Sequence, residues 1–346
     1  MAWTPCMVRA GDGPAAVGLG HPDVDRYLEF VGVRARRNTL LATAFDLKVF
    51  FSVVSKEPAE VTTADVFEFI SAQRAPRQGA KVVRLEDGEA GLSARTIKRR
   101  VSSVSGLFRY LVARGDAGVT ENPVPYGLTS RRPSPRPGRA GPALIRTPRT
   151  LPRVLSPADV DVFVAALRTR RDRAMALAML LGGLRRCEVL GLRLCDINPG
   201  ERRLFVADGK GGGQRHVPVS PRFFAELGEY LTGERPQETV TEQVFVVLKG
   251  PRRGEPLSAA GLDQIVKAAR SRAGLAHLTC HQLRHTCLTR LREAGMALEA
   301  LQAQAGHASL EATRIYLHLS NEWLAAEYSN AMAAIDADLL AGMTAK

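Results

Sequence analysis

Arg185, Lys210, His281, Arg284, His307 and Tyr316 follow one another through the second half of the chain, in the contexts GLRRCE, DGKGGGQR, CHQLRH and GHASLEATRIY. Two guanidiniums, an ammonium, two imidazoles and a phenol suit a site that holds one phosphate and attacks it with tyrosine oxygen. Glu188 lies three residues after Arg185. On a helix that spacing puts both on one face, where the acid can orient the guanidinium. Each residue also has a plainer reading when taken singly: a surface Arg–Glu pair, a solvated turn lysine, a tyrosine packed in a core.

One other chemistry is excluded at these positions, and a second is disfavoured. A phosphate-binding P-loop needs glycine five residues before Gly209 and a hydroxyl after Lys210, but Leu204 and Gly211 stand there. His281 and His285 have the spacing of a helical zinc pair, yet the metalloprotease pattern wants Glu where Gln282 sits. Arg284 between the imidazoles would repel a cation. No metal is expected, and His285 reads as a helix-packing residue.

The elements that must position these groups can be traced from periodicity and caps. Ile97, Val101, Val104, Phe108 and Leu111 recur at steps of three and four, which predicts a helix over about Ser93 to Arg114 with one buried face. Arg95, Lys98 and Arg99 project elsewhere on it, a face that could meet phosphates. Leu40, Leu41, Phe45, Phe50 and Phe51 predict an earlier helix, and Thr63 with Asp65 predicts the start of another through Phe67 and Ile70. Ser156-Pro157-Ala158-Asp159 is a helix start, followed by an apolar helix over about Arg171–Leu181. Short strands are expected at Arg203–Ala207, Gln214–Val219 and Val244–Leu248, the first two joined as a hairpin through the glycines around Lys210. After Ser258 the pattern is helical. The fold class is therefore mainly α with a small antiparallel β-sheet (α+β).

Composition divides the chain. Residues 1–20 are rich in Gly and Ala without periodicity, and a mobile tail is expected there; residues 21–126 form a helical domain. Residues 127–150 form a linker in which Pro133, Pro135, Pro137, Pro142 and Pro148 alternate with arginines, among them Arg131, Arg132, Arg136 and Arg139, without one acid. Those arginines would lie well along a nucleic-acid backbone. Residues 151–346 form the second domain, ending in an apolar stripe of Leu324, Tyr328, Met332, Ile335 and Leu339.

Residues 1–150 hold 23 Lys and Arg against 14 Asp and Glu, net +9, whereas residues 151–346 hold 25 against 21, net +4. The total of +13 points to a polyanionic partner. Five cysteines without a CxxC pair fit a reducing compartment, and no apolar run reaches a membrane span, so a cytoplasmic location is expected.

The segments GLRRCEVLGLRLCDI, DGKGGGQRHVPV, LTCHQLRHTCLTRLREAG and LQAQAGHASLEATRIYLHLS resemble the four signature boxes of the tyrosine recombinase (phage integrase) family, in order and at family-like separations. The likeness spans about residues 155–320. Residues 22–115 resemble, more weakly, that family's helical core-binding (SAM-like) DNA-binding domain.

The resemblance assigns catalytic positions to Arg185, Lys210, His281, Arg284, His307 and Tyr316, and the accessory acid to Glu188. It implies strand cleavage and rejoining through a 3′-phosphotyrosyl intermediate without metal, ATP or other cofactor. The implied partner is double-stranded DNA, bound by a homotetramer or by paired hetero-recombinases. The chain departs from the family pattern at Arg186, where an apolar or small residue is usual, and at the triple glycine after Lys210. Its first twenty residues are too few for the extra DNA-binding domain of lambda-type integrases, which suggests an Xer-like or transposon-type layout. A type IB topoisomerase-like relaxase and a catalytically silent DNA-binding regulator on the same fold remain alternatives.

Overall fold

The computed structural model describes residues 3–9, 17–75, 91–125, 128, 153–207, 213–239, 241–307, 313 and 332. Lys210, Tyr316, Arg131, Arg132, Arg136 and Arg139 lie outside the described residues, as do nearly all of the linker and of the C-terminal stripe. The chain divides into two compact units, Met1–Arg149 and Thr150–Lys346. Both are built mainly of helices.

In the first unit, strands β1 (Val8–Arg9) and β2 (Val17–Gly18) pair antiparallel. Helices α1 (Pro22–Arg34), α2 (Arg37–Val54), α3 (Thr63–Arg74) and α4 (Ala94–Arg114) follow. Ser93 caps α4 by accepting from the Thr96 amide, and Gly115 at φ 75° stops it in the left-handed region glycine tolerates. Ile97, Val101, Val104, Phe108 and Leu111 are all buried against α1, α2 and α3, as their periodicity requires.

Three details differ from the sequence reading. The expected tail does not hold for the residues described there: Val17 and Leu19 are buried, and Trp3 donates to the Leu19 carbonyl at 3.1 Å while its ring meets Phe51. The α3 cap is Thr62 rather than Thr63, because Asp65 closes a capping box back onto Thr62. The buried positions of α3 are Val66 and Phe69, leaving Phe67 exposed.

In the second unit, α5 (Pro157–Ala165) opens on the expected box of Ser156 and Asp159. The apolar α6 (Arg170–Leu181) runs through the middle of the core, nearly all its residues buried. After α7 (Arg186–Gly191) comes a three-stranded antiparallel sheet of β3 (Ile197–Asn198), β4 (Arg203–Val206) and β5 (Arg215–Pro218), in that order. Leu204, Val206 and Val217 point inward.

The third strand is thus β3 and not Val244–Leu248. That segment is buried but makes only an isolated bridge, Val246 to Pro256, with Tyr230 Oη taking the Val246 amide. Helices α8 (Pro221–Glu229), α9 (Ala259–Arg272), α10 (Cys280–Glu293) and α11 (Leu298–Ala305) complete the unit. Among the described residues no helix is long and apolar enough to cross a membrane.

Candidate active site

The site is built where α6 gives way to α7. Gly183 adopts φ +66°, and a Cβ there would press on Leu288 at 3.2 Å, so the turn requires glycine both for its backbone and for the close approach of α10. That turn delivers Arg185 to the N-cap of α7. Its amide donates to Glu188 Oε2 at 2.8 Å and its guanidinium to Oε1 at 2.7 Å. The i to i+3 spacing read from the sequence is therefore a bonded pair.

Glu188 is buried, and a second arginine meets it in fork geometry. Arg215, the first residue of β5, donates Nη1 to Oε1 at 3.1 Å and Nη2 to Oε2 at 2.9 Å. Arg284 Nη1 stands 3.9 Å from Oε2. Burial alone would push the Glu188 carboxyl up. The Arg215 hydrogen bonds, the Arg185 amide and the Arg185 guanidinium outweigh it and hold the carboxyl below its usual range.

The other anchor is the C-terminal end of α11, whose last carbonyls have no partner within their own helix. Arg215 Nε donates to the Gln304 carbonyl at 3.1 Å, Arg284 Nη2 to the Ala305 carbonyl at 2.6 Å, and Arg185 Nη2 to the Gly306 carbonyl at 2.9 Å. Three guanidiniums thus dock on three successive carbonyls, where the helix dipole also favours cations. Arg284 additionally bonds the Gly183 carbonyl, joining the two glycine turns. Gln304 Nε2 spans the Gly182 and Pro218 carbonyls at 3.0 and 3.1 Å, tying α11 to the sheet.

His307 follows directly on this turn. Its Nε2 lies 3.1 Å from Arg284 Nη2 and its Nδ1 3.0 Å from Thr313 Oγ1. Burial, then Arg284, Arg185 and Arg215, lower its pKa to about 4, against a small opposing effect of Glu188. The imidazole is therefore neutral at pH 7. His285 is also lowered to about 4, by burial first and then by His281, Arg284 and His307. His281 stands apart from the buried set: it is exposed in the first turn of α10, its ring edge-on to His285 at 4.2 Å.

A cavity of about 310 Å³ opens beside His307 between β5 and α11, lined by Gln214, Arg215, Glu299, Gln302 and Gly306.

Arg185, Glu188, Arg284 and His307 are brought together, with His281 at the margin. Arg215 and Gln304 belong to the same cluster and were missed from the sequence. Arg186 is committed elsewhere, in an ion pair with Asp263 of α9. In the first unit Arg95 is exposed and Lys98 partly so, while Arg99 pairs with buried Asp46 of α2. Among the described residues no group of three or more His, Cys, Asp or Glu side chains is placed to hold a metal.

Two family models match the chain: the phage integrase family over residues 153–322 and the phage integrase N-terminal SAM-like domain over residues 24–115. A tyrosine recombinase XerC of Pelobacter propionicus is 30% identical over 304 residues, covering 85% of this chain and 89% of that one. The chain belongs to the phage integrase family. It is a tyrosine-type site-specific DNA recombinase, an enzyme of DNA strand breakage and rejoining.

A tyrosine recombinase XerC 2 of Ralstonia nicotianae is 40% identical over 190 residues; that match covers 53% of this chain and about half, 54%, of the relative. In fold the recombinase is similar to the Tn1549 transposon integrase solved with a circular intermediate DNA. The TM-score is 0.65 at 19% identity, over 88% of this chain and 98% of that one.

Proposed function

We propose that the cluster of Arg185, Arg284 and His307, braced by Glu188 and Arg215, holds the scissile phosphate of double-stranded DNA while Tyr316 attacks it. The supporting observation is the convergence of three guanidiniums on one buried carboxylate and one turn. With His307 neutral, three positive charges against one negative leave the pocket two in excess. A phosphodiester brings one negative charge and gains a second as the attacking oxygen bonds to phosphorus, so the excess favours the transition state over the ground state.

The roles follow from this electrostatics. Arg185 and Arg284 hold the non-bridging oxygens and His307 adds a hydrogen bond. A phenol with its reference pKa near 10 needs help to attack at neutral pH. His281, at the solvent-facing margin, accepts the Tyr316 proton. The Tyr316 Oη–P bond forms as the P–O5′ bond breaks, and Lys210 protonates the departing 5′ oxygen.

The resulting 3′-phosphotyrosyl link keeps the bond energy of the phosphoester, so a 5′ hydroxyl from a second duplex can reverse the step and join new partners. Four such sites, in a homotetramer or in paired hetero-recombinases on two duplexes, complete an exchange. The basic residues Arg95, Lys98 and Arg99 of α4 and Arg131, Arg132, Arg136 and Arg139 of the linker track the DNA backbone. The setting is the cytoplasm, at the nucleoid.

A two-site recombination assay run beside supercoil relaxation tests this reading. The expected result is joining of strands from two different duplexes. Relaxation without exchanged products would instead identify a relaxase, and DNA binding with neither activity a silent regulator.

A further inference from the structure

Thr313 is fully buried, and its hydroxyl lies 3.0 Å from His307 Nδ1. On the other side of the ring, Arg284 Nη2 faces Nε2 at 3.1 Å. A guanidinium only donates, so Nε2 accepts in this state and the proton of the neutral ring sits on Nδ1, donated to Thr313 Oγ1. A ring in that form cannot give a hydrogen bond to a phosphate oxygen through Nε2. It must first change its proton arrangement. Adding a second proton is opposed by burial and by the surrounding arginines. Moving the single proton from Nδ1 to Nε2 adds no charge, but leaves Nδ1 as an acceptor in need of a donor. A hydroxyl is the one uncharged side-chain group that can turn from acceptor to donor without moving its oxygen.

We propose that Thr313 is a positioning residue that sets the tautomer of His307. Its hydroxyl accepts from Nδ1–H in the free enzyme and rotates to donate to Nδ1 when a DNA phosphate draws Arg284 away, leaving Nε2–H aimed at the phosphate. The inference rests on the phosphate-holding reading above. It also gives His307 a link to the segment that carries the nucleophile, since Tyr316 follows Thr313 by three residues in the sequence. The ring becomes a phosphate donor only when Thr313 supplies the hydroxyl.

The test uses the full chain with Thr313→Val, which keeps shape and loses the hydroxyl, and Thr313→Ser, which keeps the hydroxyl. Covalent cleavage is followed in a single turnover on a nicked suicide duplex bearing a site selected by the protein from random duplexes. Thr313→Val is expected to cleave at least about tenfold more slowly at unchanged DNA affinity, part of the 10²–10³ lost when a preorganised donor is removed. Thr313→Ser is expected to recover most of the rate.

Nitrogen-15 histidine spectra of Tyr316→Phe protein on the same duplex should show His307 with the proton on Nε2, a signal that Thr313→Val removes. Wild-type cleavage by Thr313→Val would overturn the proposal. Equal impairment of Thr313→Ser and Thr313→Val would also overturn it, because bulk rather than the hydroxyl would then matter. Covalent product formed by Tyr316→Phe would instead sink the underlying reading of the site, whatever Thr313 does.

Discussion

Among the described residues, Glu188 of the second unit and Asp46 of the first are both buried beside more than one arginine, and the two behave in opposite ways. Glu188 receives the Arg185 amide, one bond from the Arg185 guanidinium and a two-bonded fork from Arg215. Its pKa is lowered despite burial. Asp46 sits on α2 between Arg99 and Arg100 of α4, and takes Oδ2 bonds from Arg99 and from Ser103 at 2.9 Å. Its Oδ1 accepts no hydrogen bond, with Arg100 Nε 3.8 Å away, and burial raises its pKa. The neighbours are alike in type. Bond count and fork geometry decide whether a buried charge is stabilised or merely tolerated. In the second unit the acid is a brace for three cations; in the first it is an interhelical contact whose charged form is disfavoured by burial.

The largest effect that separates the two is expected from Glu188→Gln. Removing that charge leaves Arg185, Arg215 and Arg284 facing one another without an anion. The loss should be about 3–5 kcal/mol of stability, the usual range for breaking a buried pair, read by denaturant unfolding. Covalent cleavage should fall by about 10² or more as the guanidiniums splay. A variant that unfolds and cleaves like the parent would remove Glu188 from the brace.

A smaller loss is expected for Arg215→Lys. Lysine keeps the charge but cannot form the fork to Glu188 while also reaching the Gln304 carbonyl. Cleavage should drop by about tenfold, less than the 10²–10³ lost with a donor that touches phosphate. DNA affinity, measured by gel shift, should hardly change. A fall in affinity matching the fall in rate would make Arg215 a direct DNA contact instead.

The smallest effects come from titration, read by hydrogen exchange in the peptides of each unit within the full chain. His285 and His307 have folded pKa values of about 4, below the unfolded value, so the unfolded state binds more protons between about pH 6.5 and 4. Protection in the second unit should therefore fall as pH drops through that window. Asp46 has the opposite sign: its folded pKa is raised, so its effect should increase protection of α2 and α4 as pH falls towards the carboxylate range. Asp46→Asn should abolish that rise and, because its partner Arg99 is half exposed, cost no more than about 1 kcal/mol. A large loss from Asp46→Asn would erase the contrast between the two acids.

Much of this arrangement was legible in the sequence where partners are close along the chain. The Arg185–Glu188 pair, the Ser156–Asp159 box and the buried stripe of α4 all follow from spacings of three and four. Arg215 was missed because its partner lies 27 residues back, a distance no local pattern reports. A signal did exist. Arg215 has the same strand parity as inward-facing Val217, and a charged residue on the buried side of a strand needs a buried partner. The docking of three arginines on the α11 carbonyls had no signal at all, since backbone groups carry no residue type. The spacing of three between His281 and Arg284 would suggest one shared helix face, yet at the start of α10 His281 is exposed while Arg284 is buried.

Mapping the covalent product tests the central claim most directly. After reaction with a suicide duplex, protease digestion and mass spectrometry should find a nucleotide on the peptide containing Tyr316. That adduct should be absent from Tyr316→Phe and reduced by about 10² or more in Arg185→Ala and Arg284→Ala. An adduct on another residue, or one formed at the parental rate after loss of either arginine, would contradict a phosphate held by this cluster.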